Sequence, residues 1–132
     1  MQLNLTTDYA LRILLYLGAK KEMASAAEIA EKCDVPRTYL YSVEGKLRSG
    51  GLIKTVRGSG GGILLAKAPS RIRLYDVYVL TEKKALAAPY LEAPTEPRNP
   101  GEKNLFAAYR ELQRINERYL KEVTISSLLK EE

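Results

Sequence analysis

Apolar residues at Ala10, Ile13, Leu14 and Leu17 follow the i, i+3, i+4, i+7 spacing of one helical face. Thr6 or Thr7 is placed to cap the start, so a first helix is predicted at about residues 7–19. The segment SAAE at 25–28 has the form of a capping box, with Ser25 facing the amide of Glu28 and the Glu28 carboxylate reaching back to the Ser25 amide. A short second helix follows to about Lys32, with Ile29 and Ala30 turned inward. It breaks at CDVPR, because the residue before a proline avoids the helical region and Pro36 suits the first turn of a new helix. The third helix carries Leu40, Val43 and Leu47 on one stripe and ends at Gly50-Gly51, where glycine can take a left-handed cap. Two helices joined by such a short turn make a helix-turn-helix unit.

The pattern then changes period. LIKTV and ILLA read as two strands around RGSGGG. A phosphate-binding P-loop would need Lys-Ser/Thr after the glycines and then a helix, and a dinucleotide loop would need a third glycine where Ile63 stands. A hairpin tip fits instead, its glycines free to take positive φ and to approach a sugar-phosphate wall, with Arg57 available to a minor groove or a phosphate. Leu74, Val77, Tyr78 and Thr81 form a short fourth helix. Pro89, Pro94, Pro97 and Pro100 then mark an irregular loop that is either a linker or a site for a ligand or partner. From about Glu102 to Glu122, Leu105, Ala108, Leu112, Ile115 and Tyr119 alternate steps of three and four, as a and d positions do. One apolar stripe on an otherwise polar helix calls for a partner helix. Thr124 caps a last short helix, ISSLL, expected to fold over a partner subunit.

Charge sharpens this outline. The net charge is +5, and the first 80 residues hold 12 Lys/Arg against 7 Asp/Glu, while the rest hold 9 of each. Between Pro36 and Arg73, eight cations (Arg37, Lys46, Arg48, Lys54, Arg57, Lys67, Arg71, Arg73) face the single acid Glu44. Such a run is either a solvated face or an anion-binding one. On the third helix, the side opposite the apolar stripe carries Thr38, Tyr41, Ser42, Gly45 and Ser49, flanked by Arg37, Lys46 and Arg48. Hydroxyls and an aromatic edged by cations suit a helix in a DNA major groove, although an ordinary amphipathic helix shows the same division.

Composition excludes much else. With no histidine and the one cysteine Cys33, the chain offers no His/Cys metal cage, no Cys-His pair, no Ser-His-Asp set and no internal disulfide. No catalytic residue, metal ligand or cofactor site is therefore expected. The longest apolar run, Ile13 to Ala19, falls far short of the roughly 20 residues that span a bilayer, and no secretory signal is evident, so no membrane partner and a cytoplasmic location are expected. Cys33 reads either as an inert, partly buried thiol or as a lone redox sensor.

The segments TTDYALRILLYL and AAEIAEKCDVPRTYLYSVEGKLRSGGLIKTVRGSGGGILLAKAPSRIRLYDV together resemble the Rrf-two family of bacterial winged-helix transcription regulators, over about residues 3–80. The resemblance implies a mainly α fold with a small β-hairpin, in which a winged helix-turn-helix domain (1–80) leads through a proline-rich loop (81–101) to a dimerisation helix and short C-terminal helix (102–132). It implies a homodimeric repressor on a palindromic operator of double-stranded DNA. Contacts are implied at Arg37, Thr38, Tyr41, Ser42, Lys46 and Arg48 of the third helix and at Arg57, Ser59 and Gly60 of the wing, with Leu105, Ala108, Leu112, Ile115 and Tyr119 at the two-fold seam. The family's cluster-bearing members place three cysteines in the loop after the fourth helix. Here ALAAPYLEAPTEPRNPGEKN has none, so the chain resembles the cluster-free branch, and Asp8, which matches a cluster-coordinating position in some members, reads as a first-turn acid. A small-molecule effector of unknown identity stays open as a partner, with the space between the fourth and fifth helices or under the loop as its expected place. The alternative reading is a winged-helix protein-interaction or scaffolding module with only nonspecific DNA affinity.

Overall fold

The computed structural model describes residues 3–82 and 86–130. In chain order it contains α1 (Leu5–Lys20), α2 (Ala26–Cys33), α3 (Arg37–Ser49), β1 (Ile53–Val56), β2 (Gly62–Leu65), α4 (Leu74–Thr81), α5 (Pro100–Glu122) and α6 (Ile125–Leu128). Single 3-10 turns at Pro69–Arg71 and Pro89–Leu91 precede α4 and α5. The mainly helical fold with one small hairpin is as expected from the sequence.

Local chemistry sets the ends of these elements, not always through the residues expected. The cap of α1 is Asn4, whose Oδ1 accepts from the Thr7 amide at 2.8 Å. Thr7 is buried instead, and its hydroxyl contacts Asn4 Oδ1 at 3.0 Å and the Thr81 hydroxyl at 2.6 Å, tying the start of α1 to the end of α4. Ser25 does cap α2, accepting from the Glu28 amide at 3.1 Å. The other half of the expected capping box does not form. The Glu28 carboxylate accepts from the Tyr16 hydroxyl and from Lys20 Nζ at 2.5 Å, because a cation and a phenol on α1 outcompete one backbone amide. Pro36 sits at the N-cap of α3 rather than in its first turn, and Gly51, not Gly50, takes the left-handed conformation beyond its end (φ 76°).

The core lies where α1, α2, α3, the hairpin and α4 meet. Ile13, Leu14 and Leu17 of α1, Ile29 of α2, Leu40, Val43 and Leu47 of α3, Leu52 and Ile63 of the hairpin, and Ile72 and Val77 at α4 are all essentially inaccessible. Each such side chain contributes about 1.5–3 kcal/mol relative to exposure. Ala30, expected inward on α2, is only partly buried and packs at the margin of this core. The hairpin pairs antiparallel, Ile53 with Leu65 and Val56 with Gly62, and the other edge of β2 is closed by Ala24, which exchanges backbone bonds with Ile63 at 2.9 and 2.8 Å.

The C-terminal part departs from expectation in two respects. α5 begins two residues early, with Asn99 as its cap (Oδ1 from the Glu102 amide, 2.8 Å) and Pro100 in the first turn. α6 folds onto its own chain. The Ile125 amide bonds to Ile72 O at 2.8 Å, the Leu74 amide bonds to Val123 O at 2.9 Å, and Ile125 is fully buried in the core. Leu129 packs so closely on Gly18 that a Cβ there would meet it at 2.9 Å. The proline-rich segment is irregular but anchored. Tyr90 stacks on Phe106 of α5 (centroids 4.0 Å apart) and the Ala87 amide donates to Gln113 Oε1 at 2.6 Å. Residues 83–85 of the expected loop, and residues 1, 2, 131 and 132, lie outside the described residues.

Candidate nucleic-acid interface

α3 has two faces with opposite roles. Leu40, Val43 and Leu47 anchor it in the core, while Arg37, Thr38, Tyr41, Ser42, Lys46, Arg48 and Ser49 are all exposed. Tyr41 is 61% exposed, and its hydroxyl accepts from Arg37 Nη2 at 3.3 Å along the outer edge. The Ser49 hydroxyl is turned back onto Lys46 O at 3.0 Å, so it serves its own helix end. Gly45 stands in the middle of the exposed face with nothing within 4 Å of where a Cβ would lie. Glycine in a helix interior costs about 1 kcal/mol relative to alanine, and no neighbour within the chain accounts for it.

The hairpin presents the second half of the site. Residues 57–60 at its tip are exposed, which places Arg57, Ser59 and Gly60 together at the end of β1 and β2. Gly58 (φ 95°) and Gly60 (φ 79°) hold backbone conformations that L side chains rarely adopt. Gly61 is required for a different reason: a Cβ there would come within 2.1 Å of Val56 O. This tip is therefore a shaped turn, closed by the Gly61 amide on Gly58 O at 3.0 Å.

A single acid lies between the two halves. Glu44, on α3, is 8% exposed. Its Oε1 accepts from the Thr55 hydroxyl on β1 at 3.0 Å and from Arg48 Nη1 at 3.3 Å. Sequence reasoning missed this residue as a structural member of the site; the available signal was its position one step around the helix from Val43, beside the buried stripe. Tyr39 was also missed. It packs edge-on against Tyr9 of α1, centroids 5.5 Å apart, bracing the first turn of α3. Not all eight cations gather here. Arg73 is committed to Asp76 on α4 at 2.8 Å, and Lys67 lines a pocket with Leu17, Met23 and Pro69.

α5 contrasts with all of this. Among its described residues only Leu120 is buried, while Leu105 (45%), Leu112 (45%), Ile115 (42%) and Tyr119 (62%) stay exposed, as does Ala108. The space expected between α4 and α5 exists as an apolar pocket of about 410 Å³ lined by Leu3, Leu74, Ile115, Asn116, Tyr119 and Leu120. Ile115 and Tyr119 belong to both the pocket and the exposed stripe. A second hollow, of about 320 Å³, lies along Leu86–Pro89 and Glu92.

Cys33 is buried behind α1, its Sγ 3.7 Å from Arg12 O, and burial pushes its thiol pKa up. Among the described residues no helix is long and apolar enough to cross a membrane, and no three His, Cys, Asp or Glu side chains gather as metal ligands would.

A family model described as Rrf2, iron-dependent transcriptional regulator, matches residues 3–131. The chain is 38% identical over 94 residues to protein aau3 of Rhizobium meliloti and 42% identical over 84 residues to the HTH-type transcriptional regulator NsrR of Halalkalibacterium halodurans. Those stretches take in 70% and 62% of this chain but only 61% and 58% of the relatives' own length. In fold it resembles CymR, the global cysteine regulator of B. subtilis, at a TM-score of 0.80 and 23% identity, over 98% of this chain and 96% of that one. The iron in the family description finds no matching donor set in this chain. An iron-sulfur cluster takes several thiolates, whereas Cys33 is the one cysteine and there is no histidine.

Proposed function

From the premise that this chain belongs to the Rrf2 family of transcriptional regulators, we propose that it is a homodimeric repressor that reads a palindromic operator. The observation that carries the reading is the contiguity of an exposed polar helix face with a glycine-shaped basic hairpin, joined through Glu44 and Thr55. In this reading α3 enters the major groove, with Thr38, Tyr41 and Ser42 toward base edges and Arg37, Lys46 and Arg48 toward phosphates. Arg57, Ser59 and Gly60 lie along the flanking backbone or minor groove. Gly45, open to solvent, lets a sugar-phosphate strand or base edge approach the helix backbone.

The second part of the proposal concerns α5. Its exposed leucines, isoleucine and tyrosine form the two-fold seam, and the apolar pocket shared with Leu3 and Leu74 is filled there by the partner copy. Two reading units are then held at a fixed spacing, which makes half-site separation a geometric property of the dimer.

Binding of the full chain to an enriched duplex and to a random duplex across a salt series tests this. Arg57→Ala should weaken both about equally and reduce the salt slope by about one, whereas Thr38→Ala should cost about 1–3 kcal/mol on the enriched duplex alone. Equal losses on both duplexes from both changes would contradict the assigned reading face. Salt-insensitive retention of a protein partner, with no duplex preference, would favour the interaction-module alternative.

A further inference from the structure

Glu44 is the one acid within the basic run, it is almost fully buried, and it faces the region proposed to meet phosphates. On net charge alone a carboxylate there opposes DNA binding, since it lowers the local positive potential. As a stabiliser of the fold it is also a poor investment, because a well-packed apolar side chain often does as well as a buried ion pair. The geometry gives it another task. Its Oε1 takes the Thr55 hydroxyl of β1 at 3.0 Å and Arg48 Nη1 at 3.3 Å, and Arg48 Nη1 is itself 3.5 Å from Thr55 Oγ1. One carboxylate thus links the recognition helix, the first strand of the wing and a basic side chain. Among the described residues the side-chain hydrogen bonds and the ion pair of Arg48 run through Nη1, and the side chain is 53% exposed, so Nη2 and Nε remain as further donors.

We propose that Glu44 is a positioning residue: it fixes the angle between α3 and the hairpin through Thr55 and holds Arg48 so that its remaining donors meet a backbone phosphate at the helix-wing junction. The inference rests on the DNA reading above. It assigns to an acid, rather than to a further cation, the ordering of the basic face. An arginine held by one nitrogen keeps its charge and two donor directions while losing the freedom of a long exposed side chain, so less entropy remains to be lost on binding.

The test uses the full chain, the enriched duplex and a random duplex, with thermal unfolding measured in parallel. Glu44→Leu fills the site with apolar volume and leaves Thr55 and Arg48, both exposed, free to bond to water. Its unfolding midpoint should be unchanged or higher, yet its affinity for the enriched duplex should fall about ten-fold, the scale of one charge-assisted contact. The salt slope should fall by about one, and adding Glu44→Leu to Arg48→Ala should cost beyond Arg48→Ala alone only the share of the Thr55 link, about three-fold. Glu44→Gln, which keeps an acceptor for both partners, should retain most of the affinity. Unchanged or tighter binding by Glu44→Leu, the result expected from removing a bystander negative charge, would overturn the proposal. If Glu44→Leu loses its cooperative transition, Thr55→Val carries the test: a loss of about three-fold supports the clamp and unchanged binding overturns it. Wild-type protein that shows no duplex preference removes the DNA reading and this inference with it, whereas a wild-type preference with undiminished affinity in Glu44→Leu removes only the inference.

Discussion

α3 and α5 are both amphipathic helices, yet the chain completes one and leaves the other unfinished. α3 buries Leu40, Val43, Glu44 and Leu47 in thirteen residues and turns its polar side outward. α5 runs for twenty-three residues, about 35 Å, and buries only Leu120. Where the apolar stripe is satisfied within the chain, the exposed polar face is the part left for function. Where the stripe is exposed, covering it is itself the unfinished task, and a second copy of the same helix is the proposed cover. The scaffold between them, α1, α2 and α4, backs α3 through the shared core and through the Tyr9–Tyr39 contact.

The largest effect should come from breaking the α5 stripe. Leu112→Glu combined with Ile115→Glu should convert the proposed dimer to monomer by sedimentation and weaken operator binding by about a hundred-fold or more, because the second half-site loses its effective concentration. An intact dimer would refute the assigned seam. Next comes the contrast within α3 itself. Leu40→Ala should destabilise the fold by about 2–5 kcal/mol. Its neighbour Tyr41→Ala should leave unfolding within about 0.5 kcal/mol and instead cost about 1–3 kcal/mol of operator binding, with relaxed sequence preference. Smaller again, Gly45→Ala should raise stability by up to about 1 kcal/mol, since a Cβ meets nothing, while weakening operator binding if a duplex occupies that space. A gain in both would show that the glycine serves no approach.

The smallest effect concerns the scaffold and is read by pH. Lys20 and Tyr16 hold the Glu28 carboxyl below its ordinary value of 4.5. At Asp76 burial pushes upward, but the side-chain and backbone donors of Arg73 outweigh it and leave that carboxyl below 3.8. A carboxyl lowered in the folded state contributes stability that is present above its ordinary value and lost as pH falls through the lowered one. Acid unfolding should therefore begin near pH 4.5 and steepen below it, and Glu28→Gln should flatten that limb in thermal unfolding scans. Tyr16, raised to about 12 chiefly by its hydrogen bond to Glu28, acts in the opposite direction, its contribution lost as pH rises toward that value.

Much of this architecture was legible because it is local. The stripes of α1 and α3, the Ser25 cap, the break at Pro36 and the glycine-rich hairpin follow from spacing and turn chemistry within a few residues. What the sequence concealed depended on partners far along the chain. Thr7 looked like a cap, but its hydroxyl is taken by Thr81, and Asn4 caps in its place. Glu28 fitted a capping box until α1 supplied a cation and a phenol. Glu44 appeared as one acid on a basic face, because nothing in the spacing shows that Thr55 on β1 lies within hydrogen-bond distance. The anchoring of the proline-rich segment needs an aromatic pair formed across the turn into α5, Tyr90 with Phe106. The return of α6 to its own chain needs the backbone bridge between Arg73 and Thr124, which periodicity cannot reveal.

The central claim is that α3 and the hairpin read a DNA sequence as a two-fold pair. Selection of bound duplexes from a random pool by the purified full chain, at near-physiological salt, tests it most directly. The account predicts enrichment of a palindrome whose half-sites lie about one helical turn, or a multiple of it, apart. A pool that stays random, with retention that vanishes as salt rises, would contradict it and reduce the basic face to a nonspecific attractor for polyanions.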